Sequence, residues 1–453
     1  MNSKNMAKRA TFATKLGVIA ATAGSSVGLG NIWRFPYETG QNGGAAFLLV
    51  YFICVLILGL PVMLAEFTIG RSAKSNASRA FIKLTPKTHW YIVGILGIFA
   101  AVFIMGFYSV IAGWTLDYVY QSLTFGLSNK SPEAFQTAFT EFTKDPIRPI
   151  FWTGLFLLVN YVILVRGVHN GIEKASNVLM PLLFVILIIF SIRSLFMSGT
   201  ADGLSFMFHP DFSKIDSNVI LRAMGQAFFS LSLGMGTLIT YSSYFSDKTS
   251  LTKTAVTVAS LDTFVAIMAG VMIFPAVFSY GISPAQGPEL IFITLPNVFQ
   301  QMPGAYLWSL LFFILITVAA LTSTISLCEV AISYLHEEFG FIRSRATLWL
   351  IFLCFIMAVL CSLSFGPLSD FTILGYTIFN FSDFLASNIL LPLGGMLISI
   401  YVGWILDKKF VKNQISNYGQ IKIWYFDLLM ISLRFIAPVA IFLIFLYGLG
   451  IFN

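Results

Sequence analysis

Eleven stretches of apolar residues, each long enough to cross a bilayer and bounded by charge, proline or polar clusters, decide what this chain can fold into. They lie near 14–38, 45–70, 90–124, 150–166, 175–196, 218–246, 254–281, 304–336, 346–364, 379–406 and 423–449. A span needs about 20 mostly apolar residues to cross roughly 30 Å of hydrocarbon, so eleven spans take about 220 to 260 residues. That is a little over half of the 453 present. Charged residues make up 10% of the chain, where a soluble domain carries about 25%, which excludes a water-soluble enzyme. The expectation is an all-α integral membrane protein with one transmembrane domain over 1–453. The third and eighth stretches exceed a perpendicular crossing and should tilt or protrude.

The net charge of +7 raises the question of a nucleic-acid partner, but the basic residues are not gathered on one segment as such a footprint requires. They alternate along the chain. With the N-terminus cytoplasmic, the inner segments hold nineteen Lys and Arg and the outer loops only Lys130, Lys144, Arg148 and Lys214. The positive-inside rule then puts the N-terminus in the cytoplasm and, after an odd number of spans, the C-terminus outside a cell inner (plasma) membrane. The segments 125–149, 197–217 and 282–303 become outer connections with no separate domain. Cys54, Cys328, Cys354 and Cys361 all lie in apolar stretches, without disulfide or zinc spacing. His89, His169, His209 and His336 form no metal or acid-base pattern, and no G-x-x-x-x-G-K-S/T loop occurs, so neither catalysis nor ATP drive is indicated. The basic start and Ala21-Thr22-Ala23 have the look of a signal peptide, but the apolar run continues without a boundary into Gly28-Leu29-Gly30-Asn31.

Two spans carry glycine and hydroxyl residues at mid-membrane: Gly24 to Asn31 in the first and Ser230 to Thr237 in the sixth. Small residues in a span serve close helix packing. Alternatively, they mark non-helical chain, which survives at that depth only where it lines a cavity or coordinates something. Two such segments five spans apart favour the second reading. An odd number of spans per repeat inverts the second copy, and interrupted helices at matching positions point to the central site of a secondary transporter. Repeat one would cover about 10–196 and repeat two about 218–407, with an extra helix at about 421–450. Exposed helix N-termini attract a carboxylate, and freed carbonyls and hydroxyls suit a small hard cation. A channel would need a continuous polar pore lining instead.

The run Gly28-Leu29-Gly30-Asn31-Ile32-Trp33-Arg34-Phe35-Pro36-Tyr37 followed by Asn42-Gly43-Gly44-Ala45-Ala46-Phe47 resembles the first-helix signature of the neurotransmitter:sodium symporters. Gly59-Leu60-Pro61 with Glu66 and Gly70-Arg71, Gln226 to Gly234, and Leu321-Thr322-Ser323-Thr324 extend the likeness over essentially the whole chain. The family commonly has twelve spans, whereas this chain is similar to its shorter bacterial amino-acid transporters with eleven. The resemblance implies a LeuT-like fold with inverted five-helix repeats, helices 1 and 6 unwound at mid-membrane, and sodium-coupled amino-acid transport. A non-transporting amino-acid sensor would share the same binding residues.

By the same resemblance one sodium ion would use the Ser26 carbonyl, Asn31, Ser230, Asp262 and the substrate carboxylate, all hard oxygen ligands. A second would use the carbonyls of Gly24, Val27 and Ala319 with the hydroxyls of Thr322 and Ser323. The negative charge of Asp262 stands where chloride-dependent relatives use a bound anion, which implies no chloride requirement. Gly28 replaces the aspartate of the monoamine carriers and leaves room for an amino acid's own carboxylate, to which Tyr108 would donate. Gly30 and Ser230 would flank the ligand. Its side chain would meet Ser25, Ile104, Phe229, Ser232, Met235, Thr324 and Leu327, an apolar pocket with some hydroxyls that favours a hydrophobic or aromatic amino acid over other classes. Arg34 and Asp383, with Asp370 as the other candidate, would gate the outer side, and Arg9 with Glu337, assisted by Tyr244, the inner side. Glu66 would brace the first unwound segment. Gly171 and Pro181 would let helix 5 unwind and admit water to the second sodium.

Overall fold

In hydrocarbon every backbone N–H and C=O must be bonded within its own segment, so the apolar stretches become helices. A computed structural model describes residues 9–128, 130–281 and 290–451. Lys4, Lys8 and residues 282–289 of the expected outer segment 282–303 lie outside the described residues. Among the described residues eight helices are long and apolar enough to cross a membrane: Ala45–Ala73, Tyr91–Leu123, Val168–Ser194, Leu251–Ser279, Ala305–Glu338, Arg343–Leu363, Ile378–Ile405 and Phe426–Gly448. Two bent helix pairs raise the number to as many as ten, and an interrupted pair stands in the place of the remaining expected span. The first span is the pair Lys15–Ser26 and Gly30–Gln41, bent by 52°. The fourth is Arg148–Leu164, which meets the outer helix Pro132–Lys144 at 73°. The sixth is Ser217–Ser230 followed, after six non-helical residues, by Thr237–Ser242. We number these crossings one to eleven in chain order.

Spans three and eight are the longest and pack together along their length, and span one lies against span eight. Helix Lys15–Ser26 of span one also packs on spans five and seven. The connections carry short helices that the apolar pattern does not announce, each started by a polar cap. Asn76 accepts from the N–H groups of Ser78 and Arg79 to begin Ala77–Leu84, and Asp407 accepts from those of Lys409 and Phe410 to begin Lys408–Ile415. Beyond span nine, Thr372–Ile373 pairs antiparallel with Tyr376–Thr377 across Leu374 and Gly375, both at positive φ, as a two-residue hairpin turn requires.

The interruptions have local causes. In span one Val27 leaves the helix at φ −73° and ψ 105° beside Gly28. In span six Ser232, Gly234 and Gly236 take φ of 56°, 80° and 75° within residues 231–236. A Cβ on Gly234 would come 2.4 Å from the Leu391 carbonyl oxygen, so both conformation and space require glycine. Ser232 tolerates the left-handed region because its hydroxyl donates to the Ser25 carbonyl at 2.8 Å.

Candidate functional site

The two interruptions meet. Besides the Ser232 bond to Ser25, the Ser26 hydroxyl faces the Leu231 carbonyl at 3.5 Å, and the Gln226 amide donates to the Gly30 carbonyl at 3.0 Å. Glu66 of span two accepts from the Gly234 N–H at 2.8 Å, so it braces the second interruption rather than the first. The reason is packing: Gly70, one turn further on, lets span two close on the Ile239 carbonyl of span six.

Between the interrupted segments lies a small cavity of about 30 Å³. Ser25, Gly28, Gly30, Ile104, Tyr108, Phe229, Ser230, Ser232, Met235 and Leu327 border it, and so do Ser26 and Ser323. Thr324 does not: its hydroxyl donates to Asn160 of span four at 2.9 Å and so ties two spans together behind the pocket. Tyr108 reaches the first interruption, its hydroxyl accepting from the Leu29 N–H at 3.1 Å. A Cβ on Gly28 would sit 2.4 Å from the Ser323 hydroxyl and 3.1 Å from that of Tyr108, so the absent side chain keeps both hydroxyls turned toward the cavity.

On one side of the cavity Asp262 is fully buried. Its carboxylate accepts from the Asn31 amide at 2.8 Å, the Ser230 hydroxyl at 2.8 Å and the Tyr51 hydroxyl at 3.2 Å. Asn31 also donates to the Ser230 hydroxyl at 3.0 Å and accepts from the Gly28 N–H at 3.1 Å. Spans one, two, six and seven thus converge on one charge surrounded by neutral oxygens. Among the described residues no group of three or more His, Cys, Asp or Glu could hold a metal ion. A single carboxylate among hydroxyl, amide and carbonyl oxygens suits a monovalent hard cation better than a divalent one.

A second oxygen cluster lies between spans one and eight. The hydroxyls of Thr322 and Ser323 face the Val27 carbonyl at 3.4 and 3.5 Å, and Thr322 also donates to Ala319 at 3.0 Å. Gly24 packs directly on Thr322, a Cβ there falling 3.2 Å from the threonine Cβ. All five residues expected at a second sodium are therefore brought together.

The face rich in Lys and Arg is shut. Arg9 is ion-paired with Glu337, donates to Ser243 at 2.8 Å and lies 4.6 Å from the centre of the Tyr244 ring. With side chains only 13% and 19% exposed, the pair is better shielded than a surface ion pair, and burial lowers the Arg9 pKa from its ordinary value. Tyr244 donates to Glu329 at 2.6 Å, and Arg343 grips the same carboxylate at 2.5 and 3.0 Å. On the opposite face Arg34 lies 4.5 Å from the centre of the Phe229 ring, whereas Asp383 accepts from Ser387 at 2.8 Å. Among the described residues no ion pair joins Arg34 to Asp383 or Asp370; the pair formed nearby is Arg222 with Glu38 at 3.4 Å. Gly171 lies in a wide helical turn, Val168–Glu173, and Pro181 inside the helix that continues it, so the segment between them is wound here.

Sequence reasoning missed Tyr51, Asn160, Ser326, Glu329 and Arg343. Ser326 accepts from Ser25 at 2.9 Å at the edge of the pocket. Glu329 had a usable signal, a carboxylate inside an apolar span. The others are ordinary residues whose partners lie far away in the chain.

A profile of the sodium:neurotransmitter symporter family matches residues 9–141 and 150–453. An uncharacterized sodium-dependent transporter of Bacillus subtilis, YhdH, is 36% identical over 98% of this chain and 99% of its own length. An uncharacterized sodium-dependent transporter of Haemophilus influenzae is also 36% identical, with the same coverage. Among solved structures, MhsT in complex with L-phenylalanine superposes with a TM-score of 0.90 at 45% identity, over 97% of this chain and 100% of that one.

Proposed function

The chain belongs to the sodium:neurotransmitter symporter family, and from that membership and the geometry above we propose that it takes up a hydrophobic or aromatic amino acid with two sodium ions by alternating access, without a chloride requirement. The observation that carries this reading is the cavity between the two interrupted spans, with one buried carboxylate on one side and a cluster of neutral oxygens on the other. The substrate carboxylate would lie at the Tyr108 hydroxyl beside the first interruption, helping to complete the shell of the first sodium. Its amino group would meet carbonyls of both interrupted segments. Ile104, Phe229, Met235 and Leu327 supply an apolar wall, and a thioether adapts to flat or bulky side chains. MhsT, 45% identical, has been solved with L-phenylalanine, which supports an aromatic substrate. Asp262 supplies the permanent negative charge that makes a mobile anion unnecessary.

The face with Arg9 and Glu337 is then cytoplasmic in a plasma membrane, and the two five-span halves are the inverted repeats. A sodium ion gains about 2.3 kcal/mol from 100 mV and about 1.4 kcal/mol from a tenfold gradient. Two ions supply roughly 7 kcal/mol, enough for about five powers of ten in substrate concentration. Uptake of labelled amino acids into proteoliposomes, with sodium, potassium or choline outside, tests the proposal. Sodium-specific accumulation of phenylalanine, tyrosine, tryptophan or leucine is expected; equal uptake in potassium would refute the ion assignment.

A further inference from the structure

Glu173, at the end of the wide turn that opens span five, is 2% exposed and points at the start of span one. Its carboxylate accepts from the Ala13 N–H at 2.9 Å, the Thr14 N–H at 3.1 Å and the Thr14 hydroxyl at 2.8 Å, with His169 Nδ1 at 2.9 Å. Thr14 is the cap of helix Lys15–Ser26, its hydroxyl accepting from the Gly17 N–H at 2.8 Å. The anion therefore sits where the helix presents unpaired N–H groups and the positive end of its dipole. Gly17 makes the approach possible: a Cβ there would be 2.1 Å from a Glu173 carboxylate oxygen. Two turns further along the same seam Gly24, which packs on Thr322 of the second oxygen cluster, also packs against Met180, a Cβ on it falling 3.4 Å from the sulfur. Span one and span five are thus joined from Glu173 to Met180, immediately on the cytoplasmic side of that cluster. Span five is itself weakened over this length by the wide turn at one end and by Pro181, which lacks an N–H, at the other.

We propose that Glu173 is a positioning residue, a latch that holds the cytoplasmic half of span one against span five, so that loosening span five and releasing the second sodium to the cytoplasm are one event. Opening this side must part the two helices, and the carboxylate bonds are what has to break. The latch rests on the sodium-coupled transport reading. Gly17→Ala should displace the carboxylate even though alanine is the better helix former by about 1 kcal/mol, so a general loss of helix stability predicts the opposite effect.

The test uses the full chain in proteoliposomes with a reporter, Ala21→Cys, on the buried face of span one between Gly17 and Gly24. The background labelling of the four buried native cysteines is subtracted using the chain without the reporter. In the parent, sodium should suppress labelling by a polar maleimide. Glu173→Gln and Gly17→Ala should each raise the labelling rate in sodium about tenfold or more, as expected for losing hydrogen bonds to a charged group, and should raise the sodium concentration for half-maximal uptake. Glu173→Asp, which retains the charge, should recover part of the protection. If Glu173→Gln does not fold, Gly17→Ala alone decides. A sodium-protected parent with equally protected variants overturns the latch and leaves the transport reading standing. A parent whose uptake and reporter both ignore sodium overturns the transport reading, and the latch with it.

Discussion

Replacing Asp262 by asparagine removes one unit of charge from the middle of the membrane with almost no change of shape. The carboxylate is fully buried and held by Asn31, Ser230 and Tyr51. The new side chain can keep its carbonyl on the Ser230 and Tyr51 hydroxyls, but its amide then faces that of Asn31, whose oxygen is held by the Gly28 N–H, so one hydrogen bond is lost with the charge while the fold should survive. The cation does not fare as well. Two unit charges 4 Å apart interact by about 4 kcal/mol at an effective dielectric constant of 20, and the dipole of the asparagine carbonyl retains part of that. The sodium concentration for half-maximal binding should rise by about two to three powers of ten. The assay is binding of labelled phenylalanine to purified protein, titrated with sodium at constant ionic strength. Because the variant lacks the built-in anion, chloride should recover part of the loss where gluconate does not. A half-saturation within a fewfold of the parent, or one indifferent to the anion, would refute the argument that this carboxylate neutralises the first sodium.

Other substitutions probe separate parts of the account. Tyr108→Phe removes a hydroxyl at the proposed substrate carboxylate; hydrogen bonds to charged groups are worth about 1.5 to 3 kcal/mol, so phenylalanine should bind about ten- to a hundredfold more weakly, read in competition binding at saturating sodium. Gly28→Ala puts a methyl group 2.4 Å from the Ser323 hydroxyl and 3.1 Å from that of Tyr108; uptake should be lost while the melting temperature stays near that of the parent. Arg343→Leu leaves the buried Glu329 charge with only the Tyr244 donor, which should cost about 3 to 5 kcal/mol and lower the melting temperature, and Arg343→Leu combined with Glu329→Gln should regain most of it. Gly234→Ala forces a side chain into left-handed backbone beside the Leu391 carbonyl; a loss of at least about 1 to 3 kcal/mol should appear in thermal unfolding.

The membrane architecture was legible because hydrocarbon permits little else: a long apolar run without charge has to become a helix. The interruptions at Gly28 and Gly234 were legible for the same reason, since glycine and hydroxyls at mid-membrane contradict the helix their neighbours demand. Asp262 was reached through the family likeness, which its place as a carboxylate in an apolar span supports. Tyr51 and Asn160 gave no such contrast, because a tyrosine or asparagine in a span is noticed only once its partner is known, and those partners, Asp262 and Thr324, are 211 and 164 residues away. Thr324 was assigned to the pocket by family likeness alone, whereas its hydroxyl belongs to the contact between spans four and eight. Glu173 drew no notice in the sequence, and its bonds to Ala13 and Thr14 depend on a crossing of spans that no local pattern encodes. The short connecting helices escaped because they are set by single caps such as Asn76 and Asp407 rather than by a long periodic pattern.

Because ion and solute are held to share one shell, sodium and substrate must raise each other's affinity by the same factor. Measuring the dissociation constant of labelled phenylalanine on the purified protein across a wide range of sodium, with potassium as the replacing ion, tests that claim most directly. The account predicts an affinity that climbs steeply, with a logarithmic slope approaching two, and no specific binding in potassium alone. A flat dependence, with phenylalanine bound equally well in either salt, would contradict it.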